Sequence, residues 1–157
     1  MSRQQPTSDL RAWLQTVERE DELIELESAH WDTEMAAISE LVEQELGRQS
    51  PALLFDDIPG YPEGYRTLYN HLGSVTRLAL AVGLPTEYDH ILEFVDAFSD
   101  RTDDVDPLPT RTVSDGPVME NVRHGDAVDL TEIPVPKHHE RDGGRYMGTA
   151  CCVITRD

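Results

Sequence analysis

Basic residues are scarce in this sequence, and lysine is almost absent. The chain has 13 Lys and Arg against 31 Asp and Glu, a formal net charge of −18 at pH 7, and Lys137 is the single lysine. A field of this sign repels phosphate backbones and anionic membrane surfaces. The acids are interspersed along the chain and not gathered in one block, which is typical of a solvated acidic surface. We therefore expect neither nucleic acid nor a membrane among its partners.

Cysteine and long apolar runs are also scarce. The two cysteines, Cys151 and Cys152, are adjacent, so on a strand they point to opposite faces and form no disulfide framework. They are typical of a buried strand, since a nucleophilic cysteine needs a neighbouring base or cation. No segment approaches the roughly 18 continuous apolar residues of a membrane span, and the N-terminus lacks an apolar signal core. We expect a cytoplasmic protein.

Helix and strand patterns alternate through the first hundred residues, which predicts a mixed α/β domain. The helices are expected at about 7–17, 33–47, 74–83 and 86–100, and the strands at about 22–28, 52–55 and 65–70. Two helices have stripes that we expect to be buried. In the second helix these are Met35, Ile38, Leu41, Val42 and Leu46, and in the fourth Tyr88, Ile91, Leu92, Val95 and Phe98.

The composition changes after this domain. Residues 104–117 have several acids and prolines and no apolar period, which predicts a linker between a first domain at 1–103 and the start of a second at 118–157. In the second domain the segments "VMENV" and "RYMGTACCVIT" have the composition of strands.

The segment "KHHERDGG" is the main candidate for local chemistry. His138, His139 and Glu140 are adjacent, whereas a metal site needs ligands one helical turn apart or at alternate strand positions. The pattern therefore favours a solvated loop over a metal site. Gly143 and Gly144 follow Asp142 in a turn signal, and we expect at least one of them to adopt a positive φ.

Two ordered motifs resemble a known family. The first is "PALLFDDIPGYPEGYRTLYNHLGSVTRLALAVGL", with an apolar strand, a Gly-Tyr-Pro turn, an Asn70-x-x-Gly73-Ser74 step and Arg77. It resembles the N-terminal domain of the UbiD family of reversible decarboxylases. The second, "VDLTEIPVPKHHERDGGRYMGTACCVITRD", resembles the start of that family's central domain.

The resemblance implies a non-oxidative carboxy-lyase that uses prenylated FMN, with manganese and potassium, on an aromatic or α,β-unsaturated carboxylic acid. It also implies that the first domain precedes a flavin-reductase-like split β-barrel, and that the intact enzyme is a homo-oligomer. Tyr146 and Thr149, on the first barrel strand, are the residues expected to approach the cofactor.

In the family, the metal ligands and the proton-transferring carboxylates come later than the position that matches Asp157. We therefore expect no catalytic residue and no metal ligand in this chain, and we expect the 157 residues alone to be an inactive scaffold. Other interpretations stay open: a remnant, a binding or assembly module, a subunit of a decarboxylase complex, or a small metal-binding protein using His138, His139 and Glu140.

Overall fold

The computed structural model describes residues 9–103, 105–106 and 109–148. The helices are α1 (Leu10–Arg19), α2 (Glu34–Leu46), α3 (Val75–Val82) and α4 (Ile91–Asp103), and the strands are β1 (Leu23–Glu27), β2 (Ala52–Asp56) and β3 (Thr67–Tyr69). Short 3-10 turns lie at Gly47–Gln49, Pro117–Met119, Gly125–Ala127 and Leu130–Glu132. Among the described residues, no helix combines the length and apolar composition needed to cross a bilayer.

The sheet has the order β1-β2-β3, with β1 and β2 parallel and β3 antiparallel to β2. The central strand is buried from Ala52 to Phe55, because helices cover both of its faces. Leu53 and Phe55 pack with Met35 on the α2 face. The other face is covered by α1 and α3, whose core is Trp13, Val17 and Leu80. The mixed α/β fold predicted from the sequence is therefore confirmed.

The predicted burial of two helices is wrong in part. In α4 the buried residue is Phe94, which packs with Ala79 and Leu84. Four members of the expected α4 stripe are exposed at 40–61%, and two of the α2 stripe at 47–60%: Ile91, Leu92, Val95, Phe98, Leu41 and Leu46. The reason is that α3 is the main element packed against α4, so most of the apolar face of α4 is left exposed. The cap of α1 is Asp9, whose carboxylate accepts a hydrogen bond from the Ala12 N–H.

The strand predicted in "VMENV" is also wrong, because Pro117–Met119 form a 3-10 turn. Pro117 lies at the first position of this turn, where its fixed φ is suitable, and this favours the turn over a strand. Arg145, Tyr146, Met147 and Gly148 are not in a strand, and the rest of that predicted strand lies outside the described residues. The division into two domains and a linker stays a prediction.

The expected positive φ in the Asp-Gly-Gly turn is wrong as well. Neither Gly143 nor Gly144 is among the glycines with positive φ, and a Cβ at either position would meet nothing within 4 Å. The turn closes earlier: the Asp142 carboxylate accepts the His139 N–H at 2.9 Å, and the Asp142 N–H donates to the His139 carbonyl at 3.1 Å. Since the reversal ends at Asp142, the glycines need no left-handed backbone.

A buried arginine joins the strands at one edge of the sheet. Arg77 has no exposed surface, forms an ion pair with Glu22 and donates to the Ser50 carbonyl at 2.9 Å. Ser74, the cap of α3, donates to the same Glu22 carboxylate at 2.9 Å. Burial lowers the pKa of Arg77, and the charge of Glu22 opposes that shift. Because Glu22 precedes β1 and Ser50 precedes β2, the side chain of Arg77 ties two strand starts to α3.

The neighbouring Asn70 completes this edge. Directly after β3 it has a φ of +52°, and its amide donates to the carbonyls of Ser50 and Pro51 at 3.1 and 3.0 Å. A Cβ on Gly73 would overlap the Asn70 amide. The Asn70-x-x-Gly73-Ser74-x-x-Arg77 motif therefore has a structural explanation: it joins all three strands to α3. We call Glu22, Ser50, Asn70, Ser74 and Arg77 the strand-edge cluster.

We expect Gly73→Ala to lower the free energy of unfolding by about 2 kcal/mol, because displacing the Asn70 amide leaves buried carbonyls without their donor. Thermal or denaturant unfolding measures this change. Gly143→Ala is the matched control and should leave the melting temperature nearly unchanged, since its Cβ meets nothing within 4 Å. Equal effects of the two substitutions would contradict the packing described for Gly73.

We expect Arg77→Met to cost about 3 kcal/mol or more, because it leaves the Glu22 carboxylate without its partner at a largely buried site. The control is Arg123→Met, which removes an exposed pair with Glu132 at 3.5 Å. Exposed pairs contribute less than about 1 kcal/mol, so the control should unfold almost like the parent chain. A cost for Arg77→Met as small as that of the control would contradict a stabilising role.

Candidate functional site

Residues 131–146, here called the returning segment, pack back onto the α/β unit. Pro134, Val135 and Pro136 are buried. The Thr67 hydroxyl donates to the Pro134 carbonyl at 2.9 Å. Lys137 continues the attachment: its N–H donates to the Trp31 carbonyl at 3.0 Å, and its carbonyl accepts the Thr33 N–H at 2.9 Å. The segment is therefore held in place by the loop that follows β1 and by β3.

A cavity of about 540 Å³ lies in the last part of the returning segment. Its lining residues are His138, His139, Asp142, Gly143, Gly144, Arg145 and Tyr146. The Tyr146 N–H donates to the Pro136 carbonyl at 2.9 Å, which turns the segment back on itself. Of the two residues predicted to approach a cofactor, Tyr146 lines this cavity and Thr149 lies outside the described residues. Their role stays a prediction.

Three aromatic rings pack together here, and two of them, His138 and Tyr146, line the cavity. The His138 ring lies between Tyr69 and Tyr146, at centroid distances of 5.8 and 5.9 Å. The Tyr69 hydroxyl is 3.4 Å from His138 Nε2. Burial raises the pKa of Tyr69 to about 12, so this hydroxyl stays protonated at neutral pH and can donate to the imidazole. These contacts fix His138 as an aromatic wall of the cavity.

Two aromatic side chains hold Arg145, and its charge also acts on Asp129, whose pKa is lowered by hydrogen bonds from Thr131 and in smaller part by Arg145. Its guanidinium carbon lies 3.5 Å from the centroid of the Trp31 ring, and it donates a hydrogen bond to the Tyr61 hydroxyl. Among residues 9–103, 105–106 and 109–148, no acid lies within salt-bridge distance of Arg145. Sequence reasoning missed this residue because Trp31 and Tyr61 are far from it along the chain. The available signal was an arginine next to the glycine pair in a strongly acidic sequence.

His139 is engaged by carboxylates. Its Nε2 is 2.8 Å from Glu40 on α2, and its Nδ1 is 3.5 Å from Asp142. The backbone hydrogen bond from His139, together with the histidine's charge, holds the pKa of Asp142 below its ordinary value. Within the part of the chain that the structure describes, no group of three His, Cys, Asp or Glu side chains is placed to hold a metal ion. His139 is thus a contact between α2 and the returning segment.

Two family models match consecutive parts of the chain. The 3-octaprenyl-4-hydroxybenzoate carboxy-lyase N-terminal domain matches residues 14–95, and the Rift-related domain of the same carboxy-lyase family matches residues 111–157. The first match covers the sheet, α2, α3 and parts of α1 and α4, and the second covers the returning segment.

The curated relatives that match this chain are named as decarboxylases. The chain is 36% identical over 151 residues to the pyrrole-2-carboxylic acid decarboxylase of Pseudomonas aeruginosa, covering 90% of this chain and 29% of the relative. It is 33% identical over 151 residues to a phenolic acid decarboxylase of Streptomyces sp. (strain D7), covering 95% of this chain and 31% of the relative. The chain thus spans about a third of the length of these relatives.

Solved structures agree with the fold. The vanillic acid decarboxylase of Sedimentibacter hydroxybenzoicus in its closed form superposes with a TM-score of 0.73 at 30% identity, over 90% of this chain and 29% of that one. The open form gives a TM-score of 0.72 at 30% identity, over 90% of this chain and 30% of that one. With both family models matched in order on this fold, the chain belongs to the UbiD family of carboxy-lyases.

Proposed function

We propose that this chain is the N-terminal part of a decarboxylase that acts on an aromatic or α,β-unsaturated carboxylic acid with prenylated FMN. The observation that carries the proposal is the match of both family models, in order, to residues 14–95 and 111–157. The substrate class is supported by the relatives, whose names specify pyrrole-2-carboxylic acid and phenolic acids.

In this proposal the described residues are scaffold and one wall of a larger site. When bound, prenylated FMN would supply the electrophile that makes loss of carbon dioxide feasible. The strand-edge cluster fixes the α/β unit, and the returning segment leads into the proposed flavin-reductase-like barrel. Tyr146, which lines the cavity, and Thr149 are the residues we assign to the cofactor side.

The donor set on the described residues does not fit manganese. A divalent metal of this kind takes several oxygen or imidazole ligands that converge on one point, and the described part of the chain has no such group of three. His138 Nε2 contacts the Tyr69 hydroxyl and His139 Nε2 contacts Glu40, while His138 Nδ1 is buried without a hydrogen-bond partner among the described residues. We therefore assign no chemical step to manganese or potassium on these residues.

An assembly role is the second candidate. The apolar face of α4 presents Leu92 and Val95 with 61% and 50% exposure. Neighbouring apolar side chains of this kind often mark an interface. This face would suit contact with another subunit, either a copy in a homo-oligomer or a different chain of a decarboxylase complex.

We also propose a cytoplasmic location, because the sequence has only two cysteines and these are adjacent.

A chimera tests the proposed function. Residues 14–157 would replace the matching segment of the Pseudomonas aeruginosa pyrrole-2-carboxylic acid decarboxylase, with prenylated FMN, manganese and potassium supplied. We expect the chimera to release carbon dioxide from pyrrole-2-carboxylate, and the same chimera with Arg77→Met to lose activity and melting temperature together. A chimera that melts cooperatively at the temperature of the parent enzyme but has no turnover would contradict the proposal.

The 157-residue chain supplied with the same cofactors should not decarboxylate pyrrole-2-carboxylate, 4-hydroxybenzoate or vanillate. The reason is that the carboxylates expected to transfer protons match no residue of this chain. Carbon dioxide release, followed against a cofactor-only blank, measures this. Turnover above the blank would show that the catalytic residues have been misplaced.

A further inference from the structure

We propose that two copies of this chain associate head to tail, with α4 of one copy docked in a groove beside α1 of the other. A contact of this kind joins two different surfaces, so it differs from a two-fold contact in which a surface meets its own copy. The inference rests on the assembly role proposed for α4 and is independent of the proposed decarboxylase reaction.

The groove, here called the α1 groove, lies between the start of α1 and the strands β2 and β3. It has a volume of about 420 Å³, and its lining residues are Asp9, Leu10, Arg11, Leu14, Leu54, Gly64, Arg66 and Leu68. Leu54 and Leu68 are paired in the β2–β3 ladder, so they share one face of the sheet. Leu10, in the first turn of α1, is 60% exposed. The four leucines therefore give the groove an apolar lining.

Two arginines make this groove cationic. Arg11 and Arg66 both line it, and both are exposed. Among the lining residues that the structure describes, Asp9 alone opposes them, and its carboxylate accepts the Ala12 N–H at the start of α1. The lining thus has a net positive charge on a chain whose net charge is −18. Its complement is an apolar surface bordered by acids.

The exposed stripe of α4 is such a surface. Its apolar members are exposed at 40–61%: Ile91, Leu92, Val95 and Phe98. Asp96 lies one turn after Leu92, and Asp103 lies two turns after Asp96, so both acids border the stripe. Both acids are exposed. They can pair with the arginines of a partner while the apolar side chains of the stripe contact its leucines.

The two surfaces belong to helices on either side of α3. Since α3 packs against both α1 and α4, it separates the α1 groove from the stripe of the same chain. Phe94 of α4 is buried against Ala79 and Leu84, which directs the stripe away from α3. The surface that matches each half must therefore come from another molecule.

A second copy supplies both halves of the contact. Each copy has one cationic apolar groove and one acidic apolar stripe, so a head-to-tail contact pairs opposite charges. Two copies of α4 in a two-fold contact would instead bring Asp96 and Asp103 close to the same acids of the partner, and like charges repel. Charge complementarity thus favours α4 on the α1 groove over α4 on itself.

The test is analytical ultracentrifugation of the 157-residue chain at up to about 1 mM protein. A groove variant has Arg11→Glu and Arg66→Glu, and a stripe variant has Leu92→Gln and Val95→Gln. We expect the parent chain to associate reversibly and each variant alone to associate at least about tenfold more weakly. An equimolar mixture of the two variants should form a one-to-one dimer and nothing larger, because each variant keeps the half that the other lacks.

Matched controls place the same changes elsewhere. Arg48→Glu with Arg111→Glu changes the net charge equally at two exposed arginines outside the groove. Leu130→Gln removes a leucine that is 66% exposed outside α4. Both controls should associate like the parent chain. A parent chain that stays monomeric, or a mixture that forms no dimer, would sink the proposal. A groove variant that associates as tightly as the parent would overturn it in favour of a two-fold α4 contact.

A charge exchange tests the pairing itself. The groove variant with Asp96→Arg and Asp103→Arg added has the net charge of the parent chain. It should recover self-association, since arginines on the stripe then meet glutamates in the groove. Absence of any recovery would contradict the pairing of acids with arginines. None of these measurements involves turnover, so their failure is distinguishable from failure of the chimera.

Discussion

The buried contact between Arg77 and Glu22 is the constraint on which the sheet depends. This contact is the centre of the strand-edge cluster. The members of the cluster come from the residue before β1, the residues before β2, the residue after β3 and the start of α3. A three-stranded sheet is small, and its helices leave apolar surface exposed, so hydrophobic burial alone fixes its strand ends poorly. The polar groups that converge on the Ser50 carbonyl and the Glu22 carboxylate fix the positions of these strand ends. This arrangement also explains why a glycine is needed beside Asn70.

The candidate site lies at the opposite edge of the sheet. Trp31 follows the carboxyl end of β1, and Tyr61 follows the carboxyl end of β2. The carboxyl edge of parallel strands is the usual place for ligands in open α/β sheets. Here the loops at that edge hold the returning segment and the Arg145 guanidinium.

Local patterns in the sequence predicted the helices and strands. They did not predict the contacts that depend on long-range packing. The apolar run at Ala52–Phe55 was identified correctly because a central strand is buried on both faces. The helix stop at Gly83 was also correct, with the left-handed backbone that such a cap adopts. The burial of α4 was not predictable from its period, since an amphipathic pattern does not say whether a neighbour is present. Arg145 was missed for a similar reason: stacking on Trp31 depends on how the returning segment docks.

Hydrogen exchange of Arg77→Met tests the central claim most directly. If the strand-edge cluster holds the sheet as one unit, the variant should lose amide protection together in β1, β2 and β3 and at the Lys137 amide, which bonds to Trp31 at the opposite edge. Arg123→Met should keep the protection of the parent chain. Loss of protection confined to α3, with β2 and Lys137 protected as before, would contradict the account.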